Sequence, residues 1–594
     1  MLRSTMRICC LFLLTCIFLL PSTALASPTN ITYQKDAPAA LPAVDPAYVY
    51  NQLFYMGTHF LRREAGYDNN LPPDINGHDE FAAYWSQEMM KNLQGFGAQV
   101  RRDAFAVQGW VGRRTTVPAV NVEVSVPGVT HPEQVVVIGC HYDGEAISTQ
   151  SAFDDASGCA IELGVASAMG AYWRSQHVYP ARTLRFVIFD AEEQGLYGSF
   201  HYVNSTVNGD LSNIVAMFNE EQNGIAYPLR YLGEMSNPLL PFYAEMAPLQ
   251  NNSAYPTQSQ LPAQRRDAIA SFRSLMHEAT GNVFAQFRVL GYQNLTYHIN
   301  NNTQNVSQPI FTPDQLSNAH IEDDPGLGSD QIPFTLAGVP CVTFAGDGTH
   351  DDKGSIMPPY PFDTSVDTIQ LMNTYADGSS RESQALALAL ALPGMFTTWM
   401  LVQPTLLGQV AADANPIVAI SDIGQAQVGK SITLDASASF DPGNSGNALS
   451  YSWNFGDGTS ASGVTVEHTY KTAGNYTLTL TVTSPGGRRI ISKTLSISAQ
   501  TPNYANPFVG FHPTGNTYIP HGMPTPDDRL TDQVSPVSLS ATTSLVKQST
   551  PTASGSRPAA ASSSVPVIVG IGVVLVLLAL TLLILGRRKK PTNE

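Results

Sequence analysis

Val135 to Ile138 is a short β-branched run that ends, after Gly139-Cys140, in His141-Tyr142-Asp143. Such a run reads as a buried strand. A loop leads to Asp154-Asp155-Ala156-Ser157-Gly158, and the sequence CAIELGVASAM that follows has helical character. A histidine and several carboxylates therefore stand where a strand hands over to a helix, and ligands bind at that carboxyl edge in open α/β sheets. Three more strand-like runs end in the same way. Leu184 to Phe189 precedes Asp190-Ala191-Glu192-Glu193, Ile214 to Phe218 precedes Asn219-Glu220-Glu221, and Pro340 to Ala345 opens a loop with Asp347, His350, Asp351, Asp352 and Asp363. Carboxylates gathered this closely repel one another unless cations lie between them. A metal site is the simplest account.

Strands and helices alternate from the His141 strand to about residue 400, which implies an α/β sheet covered by helices. Before it, Asp45 with Pro46 marks a helix start, Asp79 to Leu93 is a second helix, and residues 98–105 and 117–126 are strands. Residues 237–325 read as a polar insertion, part helix (Arg265 to Ala279), placed to overhang the site. Arg381 to about Leu401 is the closing helix.

The ends of the chain differ in kind. Residues 1–26 have the basic head, apolar stretch and small-residue cleavage site of a secretory signal. Residues 565–585 are apolar and long enough to cross a bilayer, and Arg587-Arg588-Lys589-Lys590 would hold a tail, 586–594, on the cytoplasmic side. Residues 500–564 become Ser/Thr/Pro/Ala-rich, as in a flexible stalk. The formal net charge of −16 argues against nucleic acid as a partner. Cys140, Cys159 and Cys341 lie outside the signal; three buried thiols are expected, one disulfide with a free thiol being the alternative.

Residues 414–499 are rich in Thr, Ser, Val and Gly, with short strands suited to a β-sandwich. Trp453-Asn454-Phe455-Gly456-Asp457-Gly458, His468-Thr469-Tyr470 and Gly474-Asn475-Tyr476 resemble the polycystic-kidney-disease (PKD) domain. That resemblance implies an immunoglobulin-like spacer or binding module without catalysis, its ligand unspecified. Trp453 and Tyr476 are read as core and His468 as structural.

On chemistry alone, a cocatalytic pair of divalent ions needs a bridging carboxylate, terminal ligands and a free carboxylate as general base. Asp154 could bridge, His141 and Glu193 could be terminal, Glu192 could be the base, and Asp143 could orient the His141 imidazole. The motifs around His141, Phe153 to Gly158, Glu192 to Ser199, Ser329-Asp330 with Pro333-Phe334, and Gly338 to Pro340 also occur in a familiar order. Over roughly residues 46–400 they resemble the secreted zinc-dependent aminopeptidases, a group with glutamate carboxypeptidase-like enzymes and, more distantly, glutaminyl cyclases. The resemblance implies a phosphorylase/hydrolase-like α/β domain (residues 27–405), two zinc ions and hydrolysis of N-terminal residues by a metal-bound water. It assigns His141, Asp154 and Glu193 as metal ligands and Glu192 as the base. Two positions depart from the pattern. Glu221 stands where the family has Asp, and Asp363 stands where it has His. One ion would then have only carboxylate ligands from protein, which suits manganese or magnesium better than zinc, unless His350 takes the place of Asp363. The expectation is a membrane-anchored extracellular aminopeptidase acting on peptides. The alternatives are a non-catalytic surface binding or adhesion protein on a decayed peptidase fold, and a cyclase or carboxypeptidase activity at the same site.

Overall fold

The computed structural model describes residues 41–65, 77–108, 116–145, 148–206, 211–225, 243–292, 296–301, 304–309, 320–326, 328–345, 362–377, 383–411, 413, 415–420, 426–442 and 448–497. The expected signal, stalk, membrane span and tail lie outside the described residues, as does His350.

Two helices open the described chain, α1 (Pro46–His59) and α2 (His78–Asn92). The Asp45 carboxylate accepts from the Ala47 N–H at 3.0 Å, so α1 starts at the cap and proline that the sequence offers. Strands β1 (Gln99–Gln108), β2 (Thr116–Val126) and β3 (His131–His141) follow, then α3 (Ser157–Gln176), β4 (Arg182–Phe189) and β5 (Ile214–Glu221). Next come β6 (Tyr243–Met246), α4 (Ala263–Val289), β7 (His320–Asp323), β8 (Cys341–Ala345) and α5 (Gln384–Leu401). The eight strands form one mixed sheet in the order β1-β2-β4-β3-β5-β8-β6-β7. Strands β4, β3, β5 and β8 are mutually parallel, with Ile138 opposite Phe186 on one side and Phe218 on the other.

Both faces of that centre are covered. Val136, Ile138 and Cys140 of β3 join one apolar cluster, with α1, α3 and α5; Val135 and Val137 join another, with Phe189, Met217 and Phe334. A strand buried on both sides shows a continuous apolar run rather than alternation, which is why the sequence betrays it. The described parts of residues 237–325 include α4 and supply β6 and β7 to the far edge of the sheet. Ala244 and Met246 are buried there. Among the described residues one helix, α5, is long and apolar enough to span a membrane, and Ala385 to Leu401 are buried inside the protein. Among the described residues the three cysteines, Cys140, Cys159 and Cys341, are free and buried.

The C-terminal β-rich region has strands β9 (Ser431–Asp435), β10 (Ser450–Asn454), β11 (Ser460–Ser462), β12 (Thr465–Thr469), β13 (Gly474–Ser484) and β14 (Gly487–Ile497). They form a β9-β12 pair and a β11-β10-β13-β14 sheet. Trp453 is fully buried, with Nε1–H donating to Gly463 O at 2.9 Å. Tyr476 is only partly buried against the same core, and His468 stacks on Phe455 at 3.9 Å and meets Asp457 at 2.9 Å. The region docks on the edge of the large sheet where β3 begins. Arg489 donates to Val129 O at 3.0 Å while a bidentate pair ties it to Asp413, and Phe440 packs near Tyr179.

Candidate metal centre

The parallel strands β3, β4 and β5 deliver His141, Glu192-Glu193 and Glu221 to one edge, and the segment after β8 brings Asp363 to it. Strand β3 lies between β4 and β5, so the chain crosses from one side of it to the other at this point, and a crevice opens there. His141 Nε2 is 2.8 Å from Asp154 Oδ1 and 3.6 Å from Glu221 Oε1. Ligand atoms of His141, Asp154 and Glu193 lie within 4.8 Å of one another, as do those of His141, Asp155 and Glu221. Asp363 adjoins Asp154 and Glu193. The five residues assigned as ligands are thus brought together, all of them buried.

Local backbone chemistry holds the carriers in place. Asp143 Oδ1 lies 3.5 Å from His141 Nδ1, long for a hydrogen bond. Its firmer contacts are with the backbone of the two glutamates: the Glu192 N–H donates to Oδ1 at 3.1 Å and the Glu193 N–H to Oδ2 at 3.3 Å. Asp143 therefore positions Glu192 and Glu193 as well as facing the imidazole. Asp155 Oδ1 accepts from the Gly158 N–H at 2.8 Å in the first turn of α3. A Cβ on Gly158 would come within 2.0 Å of Glu220 O, and one on Gly198 within 2.3 Å of Asp190 O. The glycines of both motifs are there for close backbone approach.

Several residues outside the assigned set support the site. Asp367 accepts from the Phe153 N–H (2.9 Å) and the Asp154 N–H (3.1 Å), fixing the backbone at Asp154. Ser329 Oγ–H donates to Glu221 Oε2 at 2.6 Å, and Gln222 Nε2–H to Asp154 Oδ2 at 2.9 Å. His78 Nε2 donates to Asp190 Oδ1 at 2.9 Å, and Asp190 Oδ2 accepts from the Val120 N–H, which fixes the turn before Glu192.

Electrostatics point to cations. Burial raises the pKa of Glu193, and Asp363, Asp154 and Glu192 raise it further; burial and Asp154 do the same to Asp363. Burial, Glu221, Asp330 and Asp154 raise Glu192 against the opposing pull of His141. Burial opposes a proton on His141, but Glu192, Glu221, Asp143 and Asp154 outweigh it and hold its pKa well above the ordinary range. Glu193 Oε1, Asp155 Oδ2 and Asp363 Oδ1 are buried without a hydrogen-bond donor. Carboxylate oxygens so placed fit divalent cations, which would replace both the missing donors and the mutual repulsion.

Residues 121–275 match the profile of peptidase family M28, and residues 413–498 match that of the PKD domain. The chain carries a peptidase family M28 domain. Carboxypeptidase Q of Homo sapiens is 32% identical over 117 residues, 19% of this chain and 23% of that protein. Aminopeptidase YwaD of Bacillus subtilis (strain 168) is 31% identical over 99 residues, 17% of this chain and 20% of that protein. The chain thus spans less than a quarter of the length of these curated relatives. Among solved structures, BSAP, a zinc aminopeptidase from Bacillus subtilis, aligns at 13% identity and TM-score 0.36, over 61% of this chain and 96% of that one. A Macrostomum lignano glutaminyl cyclase aligns at 15% identity and TM-score 0.39, over 63% and 97%. The M28 match takes in His141, Asp154, Glu192, Glu193 and Glu221, while Asp363 lies beyond it.

The buried His78–Asp190 pair makes the stability of the M28 domain depend on pH. Burial opposes the His78 charge, but Asp190 and then Asp79 outweigh it and lift its pKa to about 10. The stabilisation is complete below the unfolded pKa of about 6.5 and is lost as pH rises through about 10. In thermal unfolding from pH 7 to 10.5, the gap between wild type and His78→Gln should shrink as pH rises. A gap that stays constant with pH would remove His78 from this role.

Proposed function

We propose that the protein is a two-metal aminopeptidase that removes N-terminal residues from peptides. The observation that carries this reading is the convergence of His141, Asp154, Glu193, Glu221 and Asp363 with Glu192 beside them, at one buried edge. Asp154 would be shared by two ions, with His141 and Glu221 on one and Glu193 and Asp363 on the other. Zinc is the expected metal, and manganese a competitor because the second ion has only carboxylates from the described residues. When bound, such ions polarise the scissile carbonyl and acidify water. Glu192 takes a proton from the attacking water and hands it to the departing amine. Asp143 holds the Glu192 backbone for that transfer.

Charge favours N-terminal substrates. Four ligand carboxylates balance two divalent cations, and Glu192, Asp143, Asp155 and Asp330 add negative potential around them. The buried guanidinium of Arg63, whose charge acts on Asp143 and Asp155, offsets only part of that potential. This field attracts an α-ammonium group and repels a C-terminal carboxylate. The apolar stretches 1–26 and 565–585 support secretion and anchoring at the cell surface.

Elemental analysis of the full chain, purified without chelator, should find two divalent ions per chain, lost together with activity on EDTA. Peptides with free N-termini should be cleaved and their N-acetylated forms spared. Cleavage that needs a free C-terminus instead would establish a carboxypeptidase. Absence of tightly held metal after incubation with zinc and manganese would favour a binding protein on a decayed site.

A further inference from the structure

We propose that Arg63, outside the matched M28 segment, is a positioning residue that clasps the loop between His141 and Asp154 and so presets the metal centre. This rests on reading the site as a two-ion centre. The loop leaves β3 at His141 and reaches Asp154, so both ends carry a ligand. Arg63 Nε donates to Tyr142 O at 2.8 Å, Nη1 to Gln150 O at 2.6 Å and Nη2 to Ser151 O at 2.9 Å. The main chain adds two bonds: Arg62 N–H to Thr149 O at 2.9 Å, and Gly144 N–H to Arg63 O at 3.1 Å. Arg62 adopts φ 57° to make this approach. The start and the end of the loop are thereby pinned to one side chain.

Only a guanidinium can do this. Its planar fork reaches three carbonyls in fixed directions, whereas an ammonium is a point charge on a flexible stem. Arg63 is 1% exposed and lies over the Phe81 ring at 4.6 Å, so its orientation is fixed from behind. Its charge also interacts with Asp143, Asp155 and Asp367. Each of these holds a backbone segment of the site: Glu192-Glu193, Gly158 and Phe153-Asp154 respectively. Arg63 is therefore the shared counter-charge of the residues that set the ligand positions.

The test is Arg63→Lys, which keeps the charge and loses the fork, measured beside wild type. Competition with a chromogenic chelator reads zinc affinity, and steady-state kinetics on an aminoacyl anilide read kcat and KM. Folded Arg63→Lys should bind zinc ~10–100-fold more weakly, the penalty typical of losing an outer partner of a metal ligand. Its kcat at limiting zinc should fall with KM little changed, and excess zinc should restore most of it. Wild-type zinc affinity in the variant would overturn the proposal. Hydrogen exchange on the metal-free wild-type chain provides a check that needs no variant. The Arg62 and Gly144 amides should be protected, and exchange at open-loop rates would equally overturn the clasp. A wild-type chain that binds no zinc would instead defeat the two-ion reading, leaving the clasp to be judged by exchange alone.

Discussion

Glu192→Gln should lower kcat on an aminoacyl anilide by on the order of 10²–10⁴-fold while both ions stay bound, the usual contribution of a positioned general base. Glutamine matches glutamate in shape and keeps the backbone N–H that donates to Asp143, so the turn after β4 should stand. It cannot accept the proton. Burial raises the proton affinity of the Glu192 carboxyl, and Glu221, Asp330 and Asp154 add to it against the opposing pull of His141. Metal content and kcat measured on the same preparation separate the outcomes. A variant that keeps its ions and loses turnover supports the role. One that turns over within a few-fold of wild type removes Glu192 from the chemistry.

Asp154→Asn should act differently, taking metal and activity away together. Asp154 faces His141 Nε2 at 2.8 Å through one oxygen and Gln222 at 2.9 Å through the other, and its own N–H is held by Asp367. An amide there offers a single neutral acceptor where a bridging carboxylate would offer two charged ones. The loss should exceed the ~10–100-fold penalty of removing an outer-shell partner, and the metal count should fall below two per chain. Retention of two ions would show that Asp155, which also lies within ligand range of His141 and Glu221, takes over the bridge.

The clustering of these side chains was legible because strands buried on both faces leave continuous apolar runs, and charged residues end them. His141, Glu192, Glu193 and Glu221 each follow such a run. The PKD strands were legible from alternation and turn residues. What was hidden depends on distance along the chain. Arg63 reads as a basic residue near the end of a helix running from Asp45 to about Ala65, yet that helix stops at His59 and three of the Arg63 acceptors are 79 to 88 positions away. His78 and Asp190 are separated by 112. Helix α4 runs to Val289, past the Ala279 that its pattern suggests. Gly281 weakens the local signal, while burial of Val283, Phe284 and Phe287 carries the helix on. The insertion reads as polar because the segments that build the sheet's far edge, such as Tyr243–Met246, are too short to show a period.

Arg489 grips the chain at Val129, just before β3, and β3 ends at His141. At about 3.3 Å per residue the strand sets the two roughly 35 Å apart. The described part of the C-terminal β-rich region therefore holds the chain at the end of β3 opposite His141. A change at Arg489 thus acts on the root of the strand whose far end carries His141, with the length of β3 between them.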